Sequence, residues 1–222
     1  MKKRPMIIAM IAIPAVIVIA CVAAVVITVV TLNTPTKGEQ ITKYSNPRAA
    51  LIVLDMQNDT TSNSAYKNTN QLLDNVNDAI TRAQLNGIDV IYVKNEYEDN
   101  PIISILSGGR YQKGTLGVEL DSNLLVINDN IYCKSIGDSF QSSGMEEYLI
   151  TNQIDTLYIV GADASACVYS TAQGGLNRGY NVIVIQDAII TINDETLDRM
   201  LKQYATDGIE IIKLADFTRT TS

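Results

Sequence analysis

Residues 49–55 read AALIVLD, an unbroken apolar run closed by an acid. A run of strand length with no polar side to show to water reads as a strand buried on both faces of a sheet. Further along, Leu72, Leu73, Val76, Ala79, Ile80 and Ala83 recur at three- and four-residue steps, which predicts a helix over 69–86, stopped by Asn86-Gly87. IDVIYV, 88–93, reads as a second buried strand. Residues 95–129 read as long loops with one short helix. A short third strand follows at 130–133, a helix at 144–151 and a fourth strand at 156–160. A helix from Ala166, a fifth strand at 182–185, a helix at 194–206 and a closing strand at 210–212 complete the pattern. Strands apolar on both sides alternating with helices predict an α/β fold: a parallel sheet of about six strands with helices on both faces, in three layers.

Ahead of that domain, residues 6–32 carry no charge, and Lys2, Lys3 and Arg4 come directly before them. A helix over that run is roughly 40 Å long, enough to cross a bilayer core of about 30 Å. By the positive-inside rule, residues 1–5 are a cytoplasmic tip, 6–32 a transmembrane anchor, 33–47 a polar linker and 48–222 the globular domain outside the cell. The expected location is the cell membrane, crossed once. Two other readings stay open. A cleaved signal peptide has a shorter apolar stretch, usually about 7–15 residues. Val18-Ile19-Ala20-Cys21 also resembles a lipoprotein box with Cys21 as the lipidated residue.

The 222 residues hold 17 Lys plus Arg, 24 Asp plus Glu and no His, a net charge of −7. Without His there is no Ser-His or Cys-His pair and no imidazole metal ligand. The region past residue 32 loses three basic residues and no acidic one, so it is more anionic than the whole. It shows no basic face for nucleic acid.

Three reactive residues fall at strand ends, where ligands bind in parallel sheets. Asp55 ends AALIVLD, Lys134 ends NIYCK, and Cys167 follows the turn GADASA where a helix begins. Each has a bland reading: a cap, a solvated charge, a packed thiol. Together they make a coherent chemistry. A thiol is mostly protonated at neutral pH, and with no His a carboxylate must take its proton. An ammonium beside both steadies the anions, and a helix N-terminus at Cys167 supplies N–H donors for an oxyanion.

LIVLDMQND (51–59), Lys134 to Phe140, GADASACVYSTA (161–172), GLNRGYNVIVIQDAI and KGTLGVEL (113–120) together resemble the isochorismatase-like cysteine hydrolases, which include nicotinamidases and N-carbamoylsarcosine amidase. The likeness runs from about Ala49 to Asp216. It implies Asp55 as general base, Lys134 as the group holding the charged pair, and Cys167 as the nucleophile that forms a thioester. It also implies a cis peptide at Ala162–Asp163, an oxyanion hole from the backbone N–H groups of Asp163 and Cys167, and Phe140 as a pocket wall. Thr60 and Ala164 depart from the usual Phe and Thr. Nicotinamidases of this kind bind a metal through Asp and His, which this chain cannot do, so no metal or other cofactor is expected.

The leading expectation is a membrane-anchored, metal-independent cysteine hydrolase cleaving a C–N bond of a small amide, ureido or carbamoyl substrate. The alternative is a non-catalytic ligand-binding or interaction module on the same fold. A homo-oligomer is possible, as in relatives. Asn95 to Asp99 reads as a solvated acidic loop. Cys133, one residue before Lys134, is expected to face away from the site into the core rather than pair with Cys167.

Overall fold

The computed structural model describes residues 4–217, with side chains from residue 16 onward. In chain order the elements are α1 (Arg4–Asn33), β1 (Arg48–Leu54), α2 (Asn58–Thr61), α3 (Thr69–Leu85), β2 (Asp89–Asn95) and α4 (Pro101–Ser107). Then come β3 (Ile131–Lys134), α5 (Ser143–Thr151), β4 (Ile154–Ala162), α6 (Cys167–Leu176), β5 (Asn181–Ile190), α7 (Asp194–Thr206) and β6 (Glu210–Ile212). The six strands form one sheet in the order β3-β2-β1-β4-β5-β6, with every neighbouring pair parallel.

Successive strand residues point to opposite faces, and each face carries its own core. Ala50, Ile52 and Leu54 pack with Met145 and Leu149 of α5, Val168 and Ala172 of α6, and Met200 and Tyr204 of α7. Leu51 and Val53 pack on the other face with Leu72, Val76, Ile80 and Ala83 of α3. The six apolar residues predicted to face inward on α3 are all buried.

Three strands run longer than predicted, β2 by continuing past Val93 to Asn95. β4 extends at both ends, and β5 continues through Gln186 and Asp187 to Ile190. The register between β4 and β5 shifts between Ile159 and Gly161, so the polar pair sits in the irregularity and pairing resumes at Ile189.

α1 is 30 residues long, and its window Val16–Asn33 has a mean hydropathy of 2.8 with no residue buried. By length and composition it is long and apolar enough to cross a membrane. The segment after it has no regular structure, but it is pinned to the domain. Thr36 N and Oγ1 each donate to Asp138 Oδ2 at 2.7 Å, and Ile41 N donates to Arg178 O at 2.8 Å.

Candidate active site

The chain lays β2 and β3 outward on one side of β1, then returns to place β4 on the other side. The carboxyl ends of β1 and β4 therefore flank the switch point, where a crevice opens. Gly161 sets their separation. Its φ is +113°, and a Cβ there would overlap the carbonyl oxygen of Leu54. Asp55 follows β1 with φ +53°, in the left-handed region uncommon for a residue with a side chain, and its N–H donates to Val93 O at 2.9 Å. The bond from Ala162 to Asp163 is cis, and Cys167 is the first residue of α6.

Lys134, at the end of the edge strand β3, reaches inward and joins the other two. Its Nζ donates to Asp55 Oδ2 at 2.9 Å and to Cys167 Sγ at 3.1 Å. The ammonium and carboxylate side chains are 0% and 5% exposed. A buried ion pair of this kind holds only while both partners are present. Asp55 Oδ1 has no hydrogen-bond partner and is buried. One carboxylate oxygen is thus bound to the lysine, while the other is free to accept a proton. Burial, and next the charge of Asp55, push the Cys167 thiol up to about 12, against the lowering pull of Lys134. Burial, the largest influence on the Lys134 ammonium, would lower it; the charges and hydrogen bonds of Asp55 and Cys167 together outweigh it and the net shift is upward. The thiol thus holds its proton well above the ordinary range, next to the Lys134–Asp55 ion pair.

The turn before Cys167 is firmly held. Ala164 N donates to Ile190 O at 2.8 Å, and the buried Tyr204 hydroxyl donates to Ala164 O. Asp163 O accepts from Ala166 N and Val168 N, while Asp163 Oδ1 accepts from Ser165 N. The backbone N–H groups of Asp163 and Cys167 bracket this turn, and such donors near a sulfur can receive a developing oxyanion.

A polar hollow of about 170 Å³ opens on Asp55 and Cys167 and is lined by Thr60, Tyr66, Arg110, Tyr111 and Asp163. Burial raises the Tyr66 and Tyr111 phenols, Tyr111 to about 12, so both are neutral O–H groups. Arg110 Nε is buried without a partner. Gln57 ties the floor together: its Nε2 donates to Asn95 O and Val118 O, and its Oε1 accepts from Asn95 N at 2.7 Å. Neither Arg110 nor Tyr66 was legible as a site residue, because each reaches the crevice from a loop distant in sequence. Gln57, inside the LIVLDMQND motif, gave the nearest signal.

Three expectations need correction. Phe140 does not line the hollow. Asp138 caps the short turn Ser139–Gln141 and aims the ring into the core, 5.5 Å from the Tyr180 ring and 4.5 Å from the Arg178 guanidinium carbon. Cys133 does face away from Lys134, but β3 is the sheet's edge and the thiol is exposed to solvent instead of buried. The stretch from Asn95 is not wholly a solvated loop. Asn95 is the buried last residue of β2, and Tyr97 hydrogen-bonds to it at 3.1 Å. The two departures from the familiar pattern are accommodated: Thr60 Oγ1 lies 3.0 Å from the Tyr111 hydroxyl, and Ala164 is fully buried.

The isochorismatase domain model matches residues 49–216. Among curated proteins, the N-carbamoylsarcosine amidase of an Arthrobacter species is 28% identical over 160 residues, covering 66% of this chain and 60% of that protein. The ureidoacrylate amidohydrolase of Acinetobacter baylyi is 28% identical over 172 residues, covering 64% of this chain and 70% of that one. Among solved structures, the pyrazinamidase of Pyrococcus horikoshii in complex with zinc superimposes with a TM-score of 0.67 at 25% identity, covering 75% of this chain and 99% of that one. The residues here do not fit such an ion. The chain has no His, and among the described residues no three Cys, Asp or Glu side chains converge.

Proposed function

The chain belongs to the isochorismatase family, and on that premise we propose that it is a cysteine hydrolase cleaving the C–N bond of a small carbamoyl, ureido or amide substrate. One observation carries this: a single buried ammonium lies 2.9 Å from a carboxylate and 3.1 Å from a thiol, with the second carboxylate oxygen unpaired.

Cys167 Sγ attacks the substrate carbonyl carbon while its proton passes to Asp55 Oδ1. The thiol holds its proton at rest, so transfer accompanies attack. Lys134 keeps its bond to Asp55 Oδ2 and faces the sulfur, limiting the cost of negative charge on either. The tetrahedral oxyanion is received by the N–H groups of Asp163 and Cys167. On collapse, protonated Asp55 gives its proton to the leaving nitrogen, the C–N bond breaks and a thioester remains. Water then attacks the thioester, again losing its proton to Asp55, and Cys167 is restored. The unpaired Arg110 guanidinium suits a substrate that also bears a carboxylate. The two curated relatives, named for carbamoyl and ureido compounds, support the same bond type.

The same proposal places the domain outside a cell membrane, held by α1. Supporting it are the uncharged run behind Lys2, Lys3 and Arg4 and the absence of burial over Val16–Asn33. Measuring ammonia release from N-carbamoyl amino acids, ureido acids and simple amides tests the activity. Turnover that vanishes in Cys167→Ala and Asp55→Asn is expected. Ligand binding with no turnover of any of these compounds would instead favour a non-catalytic module.

A further inference from the structure

Two hollows meet at Cys167, and they differ in chemistry. The polar one holds Asp55, Arg110 and Tyr111. The other, of about 270 Å³, is walled by Val29 and Leu32 from the end of α1 and by Ile103 and Leu106 from α4, with Tyr97 beside them. Ala166 and Cys167 belong to both. A helix that precedes the catalytic domain thus supplies one wall of a cleft opening on the nucleophile.

That wall is fixed in place. Gly137 N donates to Leu32 O at 2.7 Å, directly tying the last turn of α1 to the loop after Lys134. Four residues on, Thr36 satisfies two buried charges at once. It donates to Asp138, and it accepts at Oγ1 from Arg178 Nη1 at 3.0 Å. Asp138 is 0% and Arg178 3% exposed. Releasing the strap would take both bonds from Asp138 Oδ2, while Arg178 keeps its 2.6 Å pair with Glu146, so the buried Asp138 carboxyl is what opposes release. Asn33 and Ser107 also border this cleft, but its apolar walls reach solvent and continue beside it: Val29 is 41%, Leu106 40% and the neighbouring Ile105 80% exposed. An exposed apolar surface continuous with a reactive sulfur points to an apolar ligand.

We infer that the substrate is amphiphilic. Its scissile carbonyl sits at Cys167, its polar end lies in the hollow with Arg110, and an unbranched aliphatic chain occupies the cleft between α1 and α4. This deepens the proposed hydrolase function and rests on it for the position of the carbonyl; the apolar cleft itself does not depend on turnover.

The test uses the full chain in phosphatidylcholine nanodiscs and a series of N-alkyl chloroacetamides from methyl to octyl. Adducts on Cys167 and on the exposed Cys133 are followed by peptide mass spectrometry, and the ratio of the two rates cancels partition of the probe into lipid. The ratio is expected to rise about two- to fourfold per methylene over the first several carbons. Leu106→Asn and Leu32→Asn, made separately, should each flatten the series. A wild-type ratio independent of chain length overturns the inference, as does a slope unchanged in both variants. Turnover of the carbamoyl, ureido or amide panel with a flat labelling series would sink the amphiphilic substrate and leave the hydrolase. A steep series with no turnover of any panel member, or of its N-octyl analogues, would sink the hydrolase and leave the cleft as a binding site for an aliphatic chain.

Discussion

Replacing Lys134 by Met removes the ammonium while roughly keeping its stem. Asp55 is 4% exposed, its Oδ1 already lacks a partner, and Oδ2 would lose the 2.9 Å bond from Nζ. A buried carboxylate with neither oxygen compensated costs about 3–5 kcal/mol. For a domain of this size that is a fall in Tm of about 6–20 °C. The double variant Asp55→Asn with Lys134→Met exchanges the charged pair for a neutral one and should recover much of the loss, because no unpaired charge is left behind. The assay is thermal unfolding of the full chain in nanodiscs followed by circular dichroism, in wild type, both singles and the double. A Lys134→Met loss below about 1 kcal/mol, or strictly additive singles, would refute the idea that the two groups form a buried, mutually dependent pair.

Other outcomes follow from the same geometry. Because the Cys167 thiol is pushed up to about 12, its alkylation by iodoacetamide should climb about tenfold per pH unit through pH 10 instead of levelling near the ordinary thiol value of about 8.5; Asp55→Ala, removing the adjacent anion, should bring the plateau to lower pH. A raised folded-state value also means the neutral thiol and charged lysine favour folding below their unfolded values. Stability measured by Tm should therefore decline as pH rises above about 9, and Cys167→Ala should soften that decline. Gly161→Ala, at φ +113° and against Leu54 O, should destabilise by more than about 3 kcal/mol or prevent folding. Arg110→Gln should raise KM about 10- to 100-fold for carboxylate-bearing ureido substrates and much less for neutral amides, read from paired steady-state kinetics.

The parts legible in the sequence were those set by local pattern. AALIVLD has the length and pattern of a doubly buried strand, and the spacing of Leu72 to Ala83 that of a one-sided helix, so the sheet and the three strand-end residues followed. Residues placed by contacts distant in sequence were not legible. Nothing near Phe140 says that Asp138 turns its ring into the core. Alternation along β3 gave the opposite facing of Cys133 and Lys134, but not that β3 lies at an edge where the outward side is solvent. The polar pair Gln186-Asp187 ended the fifth strand on paper because a register shift cannot be read from one strand alone. Arg110 enters the crevice from a loop with no periodic signal, and residues 33–47 read as a free linker because Asp138 and Arg178, which hold them, lie about a hundred residues or more away in the chain.

The most direct measurement is the intact mass of the full chain, quenched during turnover of a ureido or carbamoyl compound. Lys134 drawing Asp55 and Cys167 together predicts a transient acyl adduct that maps to Cys167, accumulates in wild type and is absent from Cys167→Ala, which releases no ammonia. Undiminished ammonia release by Cys167→Ala, or an adduct mapping to another residue, would contradict it.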